Sequence, residues 1–110
     1  MNPAREEQSP SLELIFETIH GFQRTGALKA ALALDLFTGL AEGADTATRL
    51  ARRSTASERG MRILCDYLTV IGLLTKTADR CALTPDSHTF LNKQSPGYMG
   101  PAVEFLLSPP

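Results

Sequence analysis

The sequence predicts a mainly α domain, a winged helix-turn-helix with a short β-hairpin wing and extra N-terminal helices. Three observations carry that prediction. Apolar residues recur at helical spacing along most of the chain. The stretch Thr55-Ala56-Ser57-Glu58 has the form of a capping box between two helical segments. Two short runs of β character then flank Thr77-Ala78-Asp79. Helix, turn, helix and hairpin in that order is the winged-helix arrangement.

Taken from the N-terminus, residues 1–10 read as a disordered lead. Met1 to Gln8 is polar, carries Arg5, Glu6 and Glu7, and lacks the apolar centre of a secretory signal. Pro10 with Ser9 or Ser11 offers a helix start. Leu12, Ile15, Phe16, Ile19 and Phe22 then share one stripe, while Glu13, Glu17 and Arg24 lie off it. That pattern predicts an amphipathic helix over 11–24. A second segment, 27–34, is nearly all Ala and Leu, so burial on most sides is expected.

Asp35 is placed to cap a short helix through Leu36, Phe37 and Leu40, closed by Gly43. Asp45 or Thr46 starts the next, which holds Ala47, Leu50 and Ala51. The capping box opens a longer helix with Met61, Leu64, Cys65, Leu68 and Ile71 on one face, stopped by Gly72. Strands are expected over 73–76 and 80–83. Thr84, with Pro85 in the first turn, restarts a helix, and Ser95-Pro96 starts another ahead of Tyr98, Val103, Phe105 and Leu106.

A chain of 110 residues suits one domain, and its 43% hydrophobic content supplies a modest core. A net charge of -1 gives no global attraction for a polyanion. No apolar run approaches the roughly 18 residues of a membrane span. Cys65 and Cys81 lack metal-ligand spacing and fit a reducing, cytoplasmic setting.

Catalytic chemistry has little to stand on. A nucleotide or methyl-donor cradle needs a strand, a glycine-rich turn and a helix N-terminus. The eight glycines include no two separated by a single residue. No catalytic, cofactor-binding or metal-ligating residue is therefore assigned. His20 and His88 have no partners at ligand spacing and read as surface or helix-end residues. The two cysteines read as small buried apolar groups. The serines and threonines cluster at helix starts, where capping explains them.

Two features point to partners. Arg49, Arg52, Arg53, Arg59 and Arg62 fall within fourteen residues spanning the helix-turn-helix. In a DNA reader, Arg52, Arg53, Arg59 and Arg62 would contact phosphates. The helix continues, however, with Leu64, Cys65, Tyr67, Leu68, Val70 and Ile71, which leaves few polar side chains for base edges; a solvated basic face explains the arginines better. The other feature is an apolar surplus at the N-terminus, more than a three-helix winged core needs. A monomer rarely exposes such a stripe, so an interchain interface is expected from Leu12, Ile15, Phe16, Ile19, Phe22, Leu28, Ala31 and Leu32.

The block Ala27-Leu28-Lys29-Ala30-Ala31-Leu32-Ala33-Leu34-Asp35-Leu36-Phe37, followed by Leu40-Ala41-Glu42-Gly43, resembles the dimerisation domain of small-molecule S-adenosylmethionine-dependent O-methyltransferases. The similarity continues through residues 57–62 and 68–74 to Leu83-Thr84-Pro85 and 95–98. It implies a winged-helix domain over 11–107 that intertwines with its copy in a homodimer and does not read DNA. It further implies a tail, 108–110, leading to a Rossmann-like methyltransferase domain absent from this chain. That domain would bind S-adenosylmethionine and the small-molecule acceptor, in an enzyme of secondary metabolism; this chain itself would hold no cofactor. Two positions depart from the family pattern: Ala78 stands where glycine is usual, and Cys81 where an aromatic is. The rival reading is a small dimeric winged-helix transcription regulator, complete at this length.

Overall fold

A computed structural model describes residues 10–108. The expected disorder at the N-terminus falls, apart from Pro10, outside those residues, as do the last two residues of the tail. The elements are α1 (Glu13–Ala33), α2 (Leu36–Ala41), α3 (Ala47–Ser54), α4 (Glu58–Val70), β1 (Leu74–Thr77), β2 (Arg80–Leu83), α5 (Pro85–Phe90) and α6 (Gly100–Leu107). The two strands pair antiparallel, Leu74 opposite Leu83 and Thr77 opposite Arg80. Helices α3 and α4 with this hairpin form the winged helix-turn-helix, and α1 and α2 are the extra N-terminal helices.

The core is one cluster. Leu36, Phe37 and Leu40 of α2 meet Leu50 and Ala51 of α3 and Met61, Cys65 and Leu68 of α4. Leu74 and Cys81 close it from the hairpin, and Leu91 from the segment after α5. Each fully buried Leu, Phe or Met stabilises the fold by about 1.5–3 kcal/mol relative to exposure.

Several local expectations need correction. The helix over 11–24 and the segment over 27–34 are a single helix. Gly26 inside it costs about 1 kcal/mol relative to alanine, but the Ala- and Leu-rich turns after it carry the helix onward. Ser11 does accept the Glu13 N–H, at 3.1 Å. Asp35 makes no cap hydrogen bond: it sits in the left-handed region (φ 53°) and its carboxylate pairs with Lys93 Nζ at 2.6 Å.

Thr46, rather than Asp45, caps α3 by accepting from the Arg49 N–H, while the Asp45 carbonyl accepts from the Cys81 N–H at 2.7 Å. Thr55 does not open a capping box. It ends α3 with φ 56°, and Ser57 caps α4 by accepting from the Gly60 N–H. The reciprocal box lies further on, between Thr84 and Ser87 at the start of α5. Strand β1 runs one residue later than expected, leaving Ala78-Asp79 as the hairpin turn. Ser95-Pro96 starts no helix. Ser95 instead accepts from the Gly97 N–H in a turn, and α6 begins at Gly100 with Pro101 in its first turn.

Candidate protein–protein interface

The interface candidate begins where the core ends. Every residue from 10 to 26 is exposed, so about the first two thirds of α1 lies outside the core of its own domain. This arm, roughly 20 Å long at 1.5 Å per residue, helps give the molecule its 59 × 30 × 25 Å extents. Leu12, Ile15, Phe16, Ile19 and Phe22 are all exposed along it, and Phe22 is 78% accessible. Phe16 stacks on His20 with ring centroids 6.5 Å apart, and this histidine is itself exposed. An aromatic and aliphatic ridge of this length in water has no intrachain compensation.

The other predicted interface residues divide. Leu28 is half-buried, while Ala31 and Leu32 are buried at 0% and 7% exposure in the protomer's own core. The reason is position: by Ala31 the helix has reached α2 and α4, which cover that face. The expectation that these two residues meet a partner is therefore corrected.

Sequence reasoning missed a second exposed apolar surface, on α4. Ile63 and Val70 are 60% and 82% exposed, and Tyr67 is half-buried between them. The signal was present. Ile63, Leu64, Tyr67, Leu68, Val70 and Ile71 occupy more of the helix circumference than a single core-facing stripe requires. Between α1 and α4 lies a hollow of about 400 Å³ lined by Gln23, Ala27, Gly60, Ile63, Leu64 and Tyr67. A second of about 250 Å³ shares Gln23 and Tyr67 and adds His20, Arg24, Val70 and Ile71. Together they make one shallow groove beside the arm, apolar on its α4 side and mainly polar along α1.

The arginines are mostly engaged at home. Arg49 pairs with Asp45 at 2.7 Å, and Arg62 with Glu58 at 3.1 Å. Arg53 reaches Glu42 at 2.6 Å and also donates to the Asp35 carbonyl. Arg52 and Arg59 make no ion pair among the described residues. Asp66, four residues on from Arg62, pairs instead with Lys76 of the hairpin at 2.7 Å. That contact raises the Lys76 pKa, chiefly through its hydrogen bond to the carboxylate.

Cys65 and Cys81 are buried free thiols that meet where α4 packs on β2. Burial, followed by the neighbouring Cys81, pushes the Cys65 thiol up to about 12, and burial raises Cys81 also. Such thiols stay protonated near neutrality and are poor nucleophiles. They border a cavity of about 140 Å³ with Ala47, Asp66 and Lys76, beside the small Cys81 side chain. His88 is exposed in the last turn of α5. No group of three or more metal-ligating side chains occurs among the described residues.

Comparison with known proteins agrees with this geometry. The family model described as "O-methyltransferase dimerisation domain" matches residues 16–93, a span that takes in most of the arm, the groove and the whole winged core. A solved candidate O-methyltransferase from Nostoc punctiforme PCC 73102 is 50% identical, with a TM-score of 0.81, over 92% of this chain and 31% of its own. Acetylserotonin O-methyltransferase of Rattus norvegicus is 35% identical over 87% of this chain and 23% of its own length. Human N-acetylserotonin methyltransferase, solved in complex with SAM, shares the fold at 24% identity and a TM-score of 0.76, over 96% of this chain and 32% of its own. The chain thus spans between about a fifth and a third of these relatives. With a winged core, little free basic surface and an unpartnered apolar arm, all within the span of the family match, the chain belongs to the O-methyltransferase dimerisation-domain family.

Proposed function

We propose that this chain pairs two copies of itself, as the non-catalytic homodimerisation domain of a longer S-adenosylmethionine-dependent O-methyltransferase acting on a small natural-product acceptor. The observation that carries the reading is the arm. Ile15, Phe16, Ile19 and Phe22 lie exposed on a helix in which every residue of the first two thirds is exposed. Burying those four side chains in a partner would contribute several kcal/mol, at about 1.5–3 kcal/mol for each fully buried one.

Methyl transfer itself is assigned to the longer protein. Relatives at 50% and 35% identity are O-methyltransferases by description, and a structure of the same fold is a SAM complex. The residues described here do not fit the donor. Their one sheet is a two-stranded antiparallel hairpin, without the parallel strand and glycine turn that bring backbone N–H groups to such a ligand. No step of the transfer is therefore routed through them. No described helix is long and apolar enough to cross a membrane. Two free thiols add support for a reducing, cytoplasmic setting.

Equilibrium sedimentation of the 110-residue chain tests the pairing. A reversible monomer–dimer equilibrium is expected, with the dimer dominant at micromolar concentration. A monomer throughout the accessible concentration range would contradict it.

A further inference from the structure

We propose that Cys65 and Cys81 are a redox pair, joined by hydrogen peroxide into a disulfide that ties the hairpin wing to α4. The proposal is independent of the homodimer reading above. Cys65 lies within α4 and Cys81 within β2, so a bond between them would link two separate elements of the winged core. The two residues are 1% and 5% exposed, and their thiols lie within hydrogen-bond reach of each other. Both backbones are held. The Cys81 N–H donates to the Asp45 carbonyl at 2.7 Å, and the Cys65 carbonyl accepts from the Thr69 hydroxyl at 2.8 Å. Thiols already in contact need little rearrangement to meet the narrow geometry of a disulfide.

Burial does not seal the pair off. Both thiols border the cavity of about 140 Å³, whose rim carries the exposed residues Arg62, Asp66, Lys76 and Asp79. That space is well above the roughly 10–15 Å³ that one water requires. Hydrogen peroxide, scarcely larger than water and suited to a polar rim, can enter. Glutathione disulfide, a pair of linked tripeptides, is far too large to follow it.

The chemistry takes two steps. The Cys81 sulfur, as thiolate, attacks one peroxide oxygen and the O–O bond breaks. Hydroxide leaves, takes up the thiol proton as water, and Cys81 becomes a sulfenic acid. The Cys65 sulfur then attacks the Cys81 sulfur, the S–O bond breaks, and hydroxide leaves as water with the Cys65 proton. The two thiols together lose two electrons, and one peroxide is reduced to two waters. Cys81 acts first. Burial raises its pKa, but the S–H of Cys65 and the Lys76 ammonium favour its thiolate, against the smaller effects of Asp66 and Asp45. Cys65 is held protonated more firmly. A low thiolate content makes the first step slow. In a reducing setting the pair therefore rests as thiols and closes only under sustained peroxide.

The test exposes the folded chain to millimolar hydrogen peroxide and removes the oxidant with catalase. The protein is then unfolded in the presence of a maleimide, and its peptides are mapped by mass. The peptides holding Cys65 and Cys81 should be linked, lighter by two hydrogen atoms than the reduced pair, with neither thiol labelled. Glutathione disulfide in place of peroxide should leave both labelled. The oxidised protein should melt higher by on the order of 10 °C, because closing a loop of this length restricts the unfolded chain. Cys65→Ser, with wild-type circular dichroism, should stop at a Cys81 sulfenic acid that dimedone traps. Two labelled thiols after peroxide, a disulfide between chains, linkage by glutathione disulfide, or a linked protein that melts no higher than the reduced one would overturn the proposal.

Discussion

Ala78 holds the hairpin turn with φ 56°, a conformation that costs a non-glycine residue on the order of 1–2 kcal/mol. The departure from glycine noted in the sequence is thus a strained position. Ala78→Gly should raise the unfolding free energy by about 0.5–1 kcal/mol, the relieved strain less the extra freedom glycine gives the unfolded chain. Urea denaturation measures it, and an unchanged or lower midpoint would deny the strain. Cys65 supplies a pH dependence. Its thiol ionises near 9.0 when free and near 12 when folded, so between those values the unfolded state has released a proton that the folded state keeps. Stability contributed by this group is fully present below pH 9 and falls as pH rises through the window, by at most about 1.4 kcal/mol per unit. Cys65→Ala should flatten the alkaline fall in the urea midpoint. An identical slope in both proteins would exclude the thiol as its source. Burial of both cysteines was legible from their places on apolar faces. The caps were less so, because Thr55 and Ser57 both suit a helix start and only the tight α3–α4 turn decides between them, by forcing Thr55 to φ 56°.

At the scale of elements, helix identity was legible and helix boundaries were not. Gly26 and the polar pair Arg24-Thr25 suggested a break, yet α1 runs through because packing on α2 and α4 holds its C-terminal turns. Ser95-Pro96 has a helix-start composition, but the segment is tied down elsewhere. The Lys93 N–H donates to Thr38, and the Met99 N–H to the Phe90 carbonyl, which delays the last helix to Gly100. The arginine cluster was visible in sequence, but its neutralisation was not, since Glu42 lies eleven residues from Arg53 and meets it only in the fold. Exposed pairs of this kind contribute under about 1 kcal/mol each. Arg52→Ala together with Arg62→Ala should change the unfolding free energy by less than about 1 kcal/mol and leave dimerisation intact. Fluorescence anisotropy with duplex DNA at physiological salt should show no sequence-selective binding by the wild type. Nanomolar selective binding, lost in the double variant, would instead assign the helix-turn-helix to DNA.

For the whole molecule, the division of apolar residues between core and partner is the level least readable from sequence. A helical stripe shows that a face is buried but not against which chain. Leu12 to Phe22 and Ala27 to Leu34 form one apolar sequence block, yet the fold spends Ala31 and Leu32 internally and leaves the arm free. What separates them is cover, because α2 and α4 bury only the C-terminal third of α1 and leave an open hollow beside His20, Gln23 and Arg24. The outer face of α4 was hidden similarly, since Ile63 and Val70 look like core residues until the arm is seen to leave them uncovered. Whether the arm holds the dimer together is decided by sedimentation equilibrium of the chain carrying Ile15→Asp and Ile19→Asp. Both side chains are about half exposed in the protomer, at 55% and 45%, so the fold should survive their replacement. A folded monomer is expected at concentrations where the wild type is dimeric; a dimer of unchanged affinity would mean that the arm does not hold it.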